Sequence, residues 1–190
     1  MTIPHFFGYG SLVNRRTHVY DAAHPATIDG WRRVWRHLQA LDHAILTVAP
    51  APGHRIEGLI AAVPGADWSA LDEREEFYER VPAMGVAHPL EFVPSVEIYH
   101  VPEGANPPSA SPNPISLSYL DVVVQGYLDE FGEAGVTGFF TTTDGWDTPV
   151  LDDRAAPRYP RHQALADNEL ALTDHWLARL DVTVLQLTDS

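Results

Sequence analysis

The residues Phe-Gly-Tyr-Gly-Ser-Leu at positions 7–12 place two glycines around a tyrosine, directly after an apolar stretch that predicts a first strand. Glycine adopts positive φ without strain and lets a ligand approach the backbone closely. Backbone N–H groups exposed in such a turn form a concave nest that binds an anion or a developing oxyanion. The pattern indicates a binding turn, although a strand-to-loop turn without a ligand would have the same sequence. Its candidate binding residues are Gly8, Tyr9, Gly10, Ser11 and Leu12.

A second candidate for chemistry is Glu75. The spacing predicts a helix over Asp67–Arg80, and Trp68, Leu71, Glu75 and Tyr78 fall on one face of it because they are separated by three and four residues. The other three members of this face are apolar or aromatic, so the carboxylate should lose hydration and its pKa should rise towards neutrality. A carboxyl group with a raised pKa suits a general base or acid.

A structural role for Glu75 is the alternative. The predicted strand Trp31–Leu38 carries Arg32, Arg33 and Arg36. An ion pair between Glu75 and one of these arginines could hold the helix in place without any part in catalysis.

Three further arginines, Arg154, Arg158 and Arg161, lie close together in one long irregular segment. Arginine binds carboxylates through two parallel hydrogen bonds, so these side chains, Arg158 among them, are candidates to clamp a substrate carboxylate. Alternatively, they neutralise the acidic surface around Asp152 and Asp153.

Composition limits the classes of function. The chain has 190 residues, 45% of them hydrophobic, and we expect a single domain over residues 1–190. A formal net charge of -14 argues against binding to nucleic acids or anionic membranes. Cysteine is absent, which excludes disulfides and thiolate chemistry, and the ten histidines lack the spacing of a metal site. With no signal peptide and no long apolar run, we expect a cytoplasmic protein.

Strands are predicted mainly in the first half of the chain. Val-, Ile- and aromatic-rich runs predict strands at Trp31–Leu38, Ala44–Ala49, Arg55–Val63 and Glu91–Val101. The residues Pro50–Gly53 predict a turn that joins the second and third of these as an antiparallel pair.

Helices are predicted mainly in the second half. Helical spacing indicates Ser116–Phe131, ended by Gly132, and Asp167–Leu180. Tyr119, at the start of the first of these, is either a core residue or a further binding residue. The irregular segment Asp144–Leu165 is long enough to be a lid or strap. The remaining segments are a loop at Pro102–Pro114 and a final strand at Val182–Leu187. This order predicts an α+β fold, a small and largely antiparallel mixed sheet resembling a barrel, with flanking helices.

Taken together, the motifs resemble those of the γ-glutamylcyclotransferase superfamily, in particular its ChaC-like branch, with plant AIG2-like proteins as more distant relatives. The resemblance covers roughly residues 5 to 130, and residues 144–190 form a less recognisable strap and helix. It rests on four segments, which are Phe-Gly-Tyr-Gly-Ser-Leu at 7–12, Trp-Arg-Arg-Val-Trp at 31–35, Ile-Glu-Gly-Leu-Ile-Ala at 56–61 and Leu-Asp-Glu-Arg-Glu at 71–75.

The resemblance implies a cyclotransferase fold and the release of 5-oxoproline from a small γ-glutamyl amide, such as a γ-glutamyl peptide or a glutathione-like compound. It implies that Glu75 is the catalytic acid and base, and that the turn at 7–12 holds the γ-glutamyl group. It implies no metal and no organic cofactor. The ChaC-like branch follows its Arg-Glu pair with two glycines and a tyrosine, whereas this chain has Glu76, Phe77 and Tyr78. Tyr78 is therefore a candidate replacement for that tyrosine, and specificity for glutathione is left open.

Two other readings remain open beside this one. The same reaction could act on a γ-glutamyl-amine in a biosynthetic or catabolic pathway. A non-catalytic module that binds γ-glutamyl compounds would share the pocket without turnover.

Overall fold

The computed structural model describes residues 3–104 and 113–187. Within these ranges, the strands are β1 (Pro4–Gly8), β2 (His24–His37), β3 (Ala44–Ala62), β4 (Glu79–Pro82), β5 (Val86–Ala87), β6 (Ser95–His100), β7 (Ile115–Ser116), β8 (Thr143–Asp144), β9 (Val150–Asp152) and β10 (Val184–Gln186). The α-helices are α1 (Ser69–Arg74), α2 (Leu117–Thr141) and α3 (Asp167–Arg179).

The main sheet is mixed and largely antiparallel. Its strand order is β4-β6-β1-β3-β2-β5, and β8 adds a short parallel pairing to β2. The β1–β6 pair is also parallel, whereas the β1–β3, β2–β3, β2–β5 and β4–β6 pairs are antiparallel. A second, three-stranded sheet joins β7, β9 and β10 in parallel. The α+β fold predicted from the sequence is confirmed.

The predicted hairpin at Pro50–Gly53 is wrong. Strand β3 continues through these residues and pairs with β2 on both sides of them. Between the two paired stretches, residues 51–54 face the single residue Gly30, so the extra length forms a bulge. Gly30 and Gly53 have φ angles of +85° and +82°, which only glycine adopts easily, and this lets the bulge form inside the ladder.

The first helix is shorter than predicted. It ends at Arg74, and the chain then turns so that Glu79–Pro82 pairs with β6. Edge pairing with β6 satisfies the backbone of these residues in place of helical hydrogen bonds. At the start of the helix, the Asp67 carboxylate accepts the Ser69 N–H at 3.1 Å. Glu75 consequently occupies the C-terminal cap of α1 rather than its middle.

The predicted break of α2 at Gly132 is confirmed, but helix resumes after it. Gly132 has φ +66° and ψ -166°, which interrupts the helical backbone. Residues 133–141 then form a second helical part that sequence spacing did not predict.

The predicted helix and final strand near the C-terminus are confirmed as α3 and β10. Part of the segment Asp144–Leu165 is regular, because it contains β9. Of the loop predicted at Pro102–Pro114, residues 105–112 lie outside the described residues.

The core lies between the main sheet and α2. Strand β1 contributes Phe6 and Phe7 to this core, and α2 contributes further residues that are fully buried. The α2 members of this layer are Leu120, Val123, Val124 and Tyr127. The close approach of α2 fixes the chain segment that follows β1, since a Cβ atom at Gly126 would lie 2.6 Å from the Asn14 backbone nitrogen.

In the part of the chain that the structure describes, none of the helices has both the length and the hydrophobicity that a bilayer crossing requires. The same residues include no cluster of three or more His, Asp or Glu side chains able to hold a metal ion.

Candidate active site

A cleft with two connected parts lies at the carboxyl end of β1. The inner cavity, of about 30 Å³, is lined by the whole turn at residues 7–12 together with Leu46, Glu75, Tyr78, Tyr99 and Tyr119. The outer cavity has a volume of about 750 Å³. Ser11, Leu46, Glu75, Tyr78 and Tyr119 line both cavities, so the two spaces adjoin each other.

The carbonyl groups of the turn are anchored within the protein. Three consecutive carbonyl groups are bonded within the protein: that of Tyr9 accepts from Arg33 Nε at 3.2 Å, that of Gly10 from the Val13 N–H at 3.0 Å, and that of Ser11 from Thr17 Oγ1 at 2.9 Å. In a trans peptide unit the C=O and N–H groups point in opposite directions. The N–H groups of Gly10, Ser11 and Leu12 therefore point away from these anchors.

Two of these three N–H groups have no partner within the described protein. Among the described residues, those of Gly10 and Leu12 donate to no protein acceptor, while that of Ser11 interacts with the Tyr119 hydroxyl. The backbone of Gly10 and Leu12 thus offers two donors at the inner cavity, and a role of the turn in binding an anion stays a prediction.

The glycines of the turn are required for space rather than for positive φ. Gly10 has φ -114°, outside the left-handed region. A Cβ atom at Gly10 would lie 2.7 Å from the Tyr119 Oη atom, and one at Gly8 would lie 2.6 Å from the Leu12 Cβ atom. Both distances are shorter than non-bonded carbon contacts allow, so a side chain at either position would displace a wall of the inner cavity.

Arg33 is a buried support behind the turn. Its side chain is 0% exposed, and besides the Tyr9 carbonyl it binds the Tyr127 hydroxyl, the Glu57 carbonyl and Thr142 Oγ1. The five N–H donors of the Arg33 guanidinium are directed mostly at neutral acceptors within the protein. The side chain therefore holds the backbone of the turn in place without occupying the cleft.

Glu75 lies beside the turn, and Arg74 connects the two. The nearest oxygen of Glu75 is 3.3 Å from Arg74 Nε, and Arg74 Nη2 donates to Ser11 Oγ at 3.0 Å. The alternative of a pair with Arg32, Arg33 or Arg36 is wrong, since in the described residues the ion-pair partner of Glu75 is Arg74. The Glu75 side chain is 16% exposed and lines both cavities.

Burial raises the pKa of Glu75 above its ordinary value, and the positive charges of Arg74 and Arg161 offset part of this effect. The direction agrees with the sequence prediction. A carboxylate that is partly desolvated accepts a proton more readily than one in water, which is what a general base requires.

The tyrosines around Glu75 differ in what their hydroxyls can do. Burial raises the pKa of Tyr9, Tyr78 and Tyr119, so all three remain protonated at neutral pH. Tyr9 donates to the Tyr99 carbonyl at 2.7 Å and Tyr78 to the Leu46 carbonyl at 2.9 Å. In the described residues the Tyr119 hydroxyl donates to no protein acceptor, which makes it the donor open to a ligand.

Only two of the three clustered arginines line the cleft. Arg158 and Arg161 border the outer cavity, whereas Arg154 binds Asp121 at 2.7 Å and Asp174 at 2.8 Å, away from it. Among the described contacts the guanidinium groups of Arg158 and Arg161 pair with neither Asp152 nor Asp153, whereas Arg154 neutralises acidic neighbours of that segment, Asp121 and Asp174.

Sequence reasoning missed the role of Asp153. This fully buried carboxylate accepts the Ser118 N–H at 2.7 Å, the hydroxyls of Ser116 and Ser118, and the Arg158 N–H at 2.9 Å. It thus caps α2 and attaches the segment carrying Arg158 to the wall of the cleft. Burial alone would raise the pKa of Asp153, but these hydrogen bonds lower it overall.

We expect Asp153→Asn to reduce the free energy of unfolding by about 1.5–3 kcal/mol at pH 7, because hydrogen bonds to a charged acceptor are lost. The folded-state pKa is depressed, so this contribution is present above the ordinary aspartate pKa of about 3.9 and is lost as the pH falls through the lower folded value. Urea denaturation at pH 7 and pH 3 measures both effects. The exposed Asp147→Asn serves as a control, and equal stability of the two variants at pH 7 would contradict the assignment.

His18 was also missed, and it holds the far end of the turn. Its Nδ1 atom accepts the Tyr20 N–H at 3.3 Å, which leaves Nε2 to donate to the Leu12 carbonyl at 3.1 Å. Burial and then the nearby Arg74 charge lower the pKa of His18 to about 4. The imidazole is therefore neutral at pH 7.

We expect His18 to make stability depend on pH between about 6.5 and about 4. Below pH 6.5 the unfolded chain binds a proton at His18 and the folded chain does not, so stability falls until the folded pKa of about 4 is reached. His18→Gln should show a smaller fall in thermal midpoint over this interval, with the exposed His54→Gln as control. Identical pH profiles for His18→Gln and the wild type would refute this.

Comparisons with known proteins agree with this architecture. The solved structure of a γ-glutamyl cyclotransferase superposes with a TM-score of 0.57 at 14% identity, covering 93% of this chain and 98% of that one. The human protein loc79017 superposes with a TM-score of 0.56 at 15% identity, covering 90% and 96%. YkqA from Bacillus subtilis gives a TM-score of 0.55 at 18% identity, with 76% of this chain aligned to 57% of that protein. At these identities the structures establish the shared fold.

No curated protein sequence matches the chain. The model of the family described as γ-glutamyl cyclotransferase, AIG2-like, matches residues 6–117, which include both the turn and Glu75. Since this match spans more than half of the 190 residues, the chain belongs to the AIG2-like γ-glutamyl cyclotransferase family.

Proposed function

We propose that this chain is a γ-glutamylcyclotransferase that releases 5-oxoproline from a small γ-glutamyl amide. The observation that carries the proposal is the shared inner cavity, which is lined both by the desolvated Glu75 and by the turn residues Gly10, Ser11 and Leu12. The family membership supports the same reaction.

The substrate brings its own nucleophile, so the site needs only a base and an oxyanion donor. Glu75 removes a proton from the α-ammonium group, and the free amine attacks the γ-carbonyl carbon to close a five-membered ring. The carbonyl oxygen becomes an oxyanion that the N–H groups of the turn stabilise. Holding the chain folded for attack supplies the proximity that makes ring closure fast.

The leaving amine departs when the original C–N amide bond breaks. Two protons in all pass from the α-nitrogen to that amine, and Glu75 relays them, ending in its starting state. No electron transfer occurs, and the sequence of steps requires neither a metal nor an organic cofactor. We expect the Tyr119 hydroxyl, which lines the inner cavity, to donate to the γ-glutamyl carboxylate. The Tyr78 ring forms a wall of the cavity, and its hydroxyl stays on the Leu46 carbonyl.

Measurement of 5-oxoproline release from a panel of γ-glutamyl amino acids, glutathione and γ-glutamyl-amines tests this function. We expect turnover of at least one class, and the preferred class separates a peptide-directed enzyme from one acting on γ-glutamyl-amines. Calorimetry with the same compounds covers the remaining alternative, because binding of a γ-glutamyl compound without any 5-oxoproline would identify a binding module and overturn the enzymatic proposal.

A further inference from the structure

The outer cavity is far larger than the γ-glutamyl group requires. In the proposed reaction the bond that breaks lies beside Glu75, where the two cavities meet, so the leaving group extends into the volume of about 750 Å³. Apolar side chains form much of this space, including Ile45, Phe77 and Tyr159. Two of the positively charged residues that line it, Arg158 and Arg161, lie outside the region matched by the family model, which ends at residue 117.

These two arginines are poorly matched to carboxylates within the protein. Arg158 comes no closer than 3.9 Å to Asp42, whose side chain is 84% exposed, and such a pair contributes little. Among the described residues, Arg161 has no carboxylate within 4.0 Å. Of the twelve arginines in the chain, these two are among five that lack a carboxylate within 3.3 Å in the described residues. Seven other arginines have a carboxylate within 3.3 Å, namely Arg15, Arg16, Arg32, Arg55, Arg74, Arg80 and Arg154.

The segment that carries them is held against the cleft. The Arg158 N–H donates to the buried Asp153 carboxylate at 2.9 Å, and the Tyr159 N–H donates to Ser118 Oγ at 3.2 Å. The Tyr159 ring packs edge-on against Tyr119 with ring centres 5.0 Å apart. The backbone of Arg158 and Tyr159 is therefore fixed relative to the inner cavity before a ligand binds, and Arg161 follows two residues later.

The acidic groups of the outer cavity other than Glu75 are exposed to solvent, which screens their charge. Asp42 and Glu76 are exposed carboxylates on its rim, and His43 contacts Asp42 at 2.9 Å. Arg161 acts further in than these groups. Burial raises the pKa of Glu75, and the positive charges of Arg74 and then of Arg161 lower it. An anion between Arg158 and Arg161 would thus lie on the leaving-group side of Glu75.

We propose that Arg158 and Arg161 form an anion subsite that determines specificity, favouring γ-glutamyl substrates whose leaving amine carries a carboxylate over those with a neutral amine. This inference rests on the proposed cyclotransferase function. The subsite binds the leaving group through charge-assisted hydrogen bonds.

A matched pair of substrates isolates the charge. γ-Glutamyl-alanine and γ-glutamyl-alanine amide differ only in the carboxylate of the leaving group. We expect the wild type to have a kcat/KM about tenfold or more higher for the acid, equivalent to about 1.4 kcal/mol. The double variant Arg158→Gln with Arg161→Gln should lose this preference, mainly through a higher KM for the acid.

The exposed Arg55→Gln is the matched control, because it removes one positive charge far from the cleft. It should retain the full preference for the acid. Equal kcat/KM values for acid and amide in the wild type, or an unchanged preference in the double variant, would overturn the subsite while leaving the cyclotransferase activity in place. Absence of 5-oxoproline from every substrate would overturn the activity and the subsite with it.

Discussion

Glu75→Gln should lower kcat for 5-oxoproline release by about 10²–10⁴-fold, because the amide has the size of the carboxylate but accepts no proton from the α-ammonium group. Gln keeps the packing at the end of α1 and the contact with Arg74 through its carbonyl oxygen. Folding should therefore be preserved, and the loss should appear in kcat more than in KM. Steady-state kinetics on the best substrate of the panel, with circular dichroism as a check on folding, measure this.

Glu73→Gln is the matched control, since Glu73 is exposed on the same short helix and lines neither cavity. Its activity should equal that of the wild type. A Glu75→Gln variant with full activity would end the assignment of Glu75 as the base. The wild-type pH profile adds an independent check, because burial raises the pKa of Glu75 and kcat/KM should fall with acidification at a pH above the ordinary glutamate pKa.

Gly10→Ala should lower kcat/KM by about 10²-fold, an effect typical of misplaced catalytic groups. The added Cβ atom would lie 2.7 Å from the Tyr119 Oη atom, and packing of Tyr119 against Tyr159 and Trp35 resists its movement. Either the turn or Tyr119 must shift, and both line the inner cavity. Kinetics of the variant against the wild type, with thermal unfolding as a check, measure the change.

Tyr119→Phe provides the control for this collision. With the hydroxyl removed, the nearest atoms to the new methyl group would be Leu46 Cδ2 at 3.5 Å and Tyr119 Cζ at 3.9 Å, which are ordinary contacts. Gly10→Ala should therefore cost much less activity in the Tyr119→Phe background than in the wild type. Equal costs in both backgrounds would show that the tyrosine hydroxyl does not define the space above Gly10.

The turn at residues 7–12 and Glu75 could be picked out from the sequence as candidate site residues, because each belongs to a short motif. Glycines around a tyrosine after a strand indicate a backbone site, and the face shared by Glu75 with apolar residues indicates desolvation. The helix predicted around Glu75 is too long, yet the predicted desolvation of Glu75 is correct. Trp68, Leu71 and Tyr78 all pack against the core although only Leu71 lies inside α1.

The errors have one physical cause, which is that long-range pairing overrides local pattern. Residues 79–82 are extended because β6 offers them a partner, and residues 50–53 stay in β3 because β2 pairs on both sides of the bulge. Neither partner is visible in the local sequence.

The residues that hold the site in place could not be predicted from the sequence either. The sequence suggests Arg33 only as a partner of Glu75, whereas its side chain donates to the Tyr9 carbonyl on the side of the turn away from the cleft. Asp153 and His18 act through contacts with segments far from them in sequence or through backbone atoms of the turn. Neither residue type nor spacing predicts such contacts, because they depend on which loops the fold brings together.

The most direct test of the account is a crystal structure of the Glu75→Gln variant with γ-glutamyl-alanine bound. We predict that the α-nitrogen of the ligand lies about 3 Å from the side-chain oxygen of residue 75, and that the γ-carbonyl oxygen accepts hydrogen bonds of similar length from the N–H groups of Gly10, Ser11 or Leu12. A γ-glutamyl group bound outside the inner cavity, or bound there with its amine turned away from residue 75, would contradict the account.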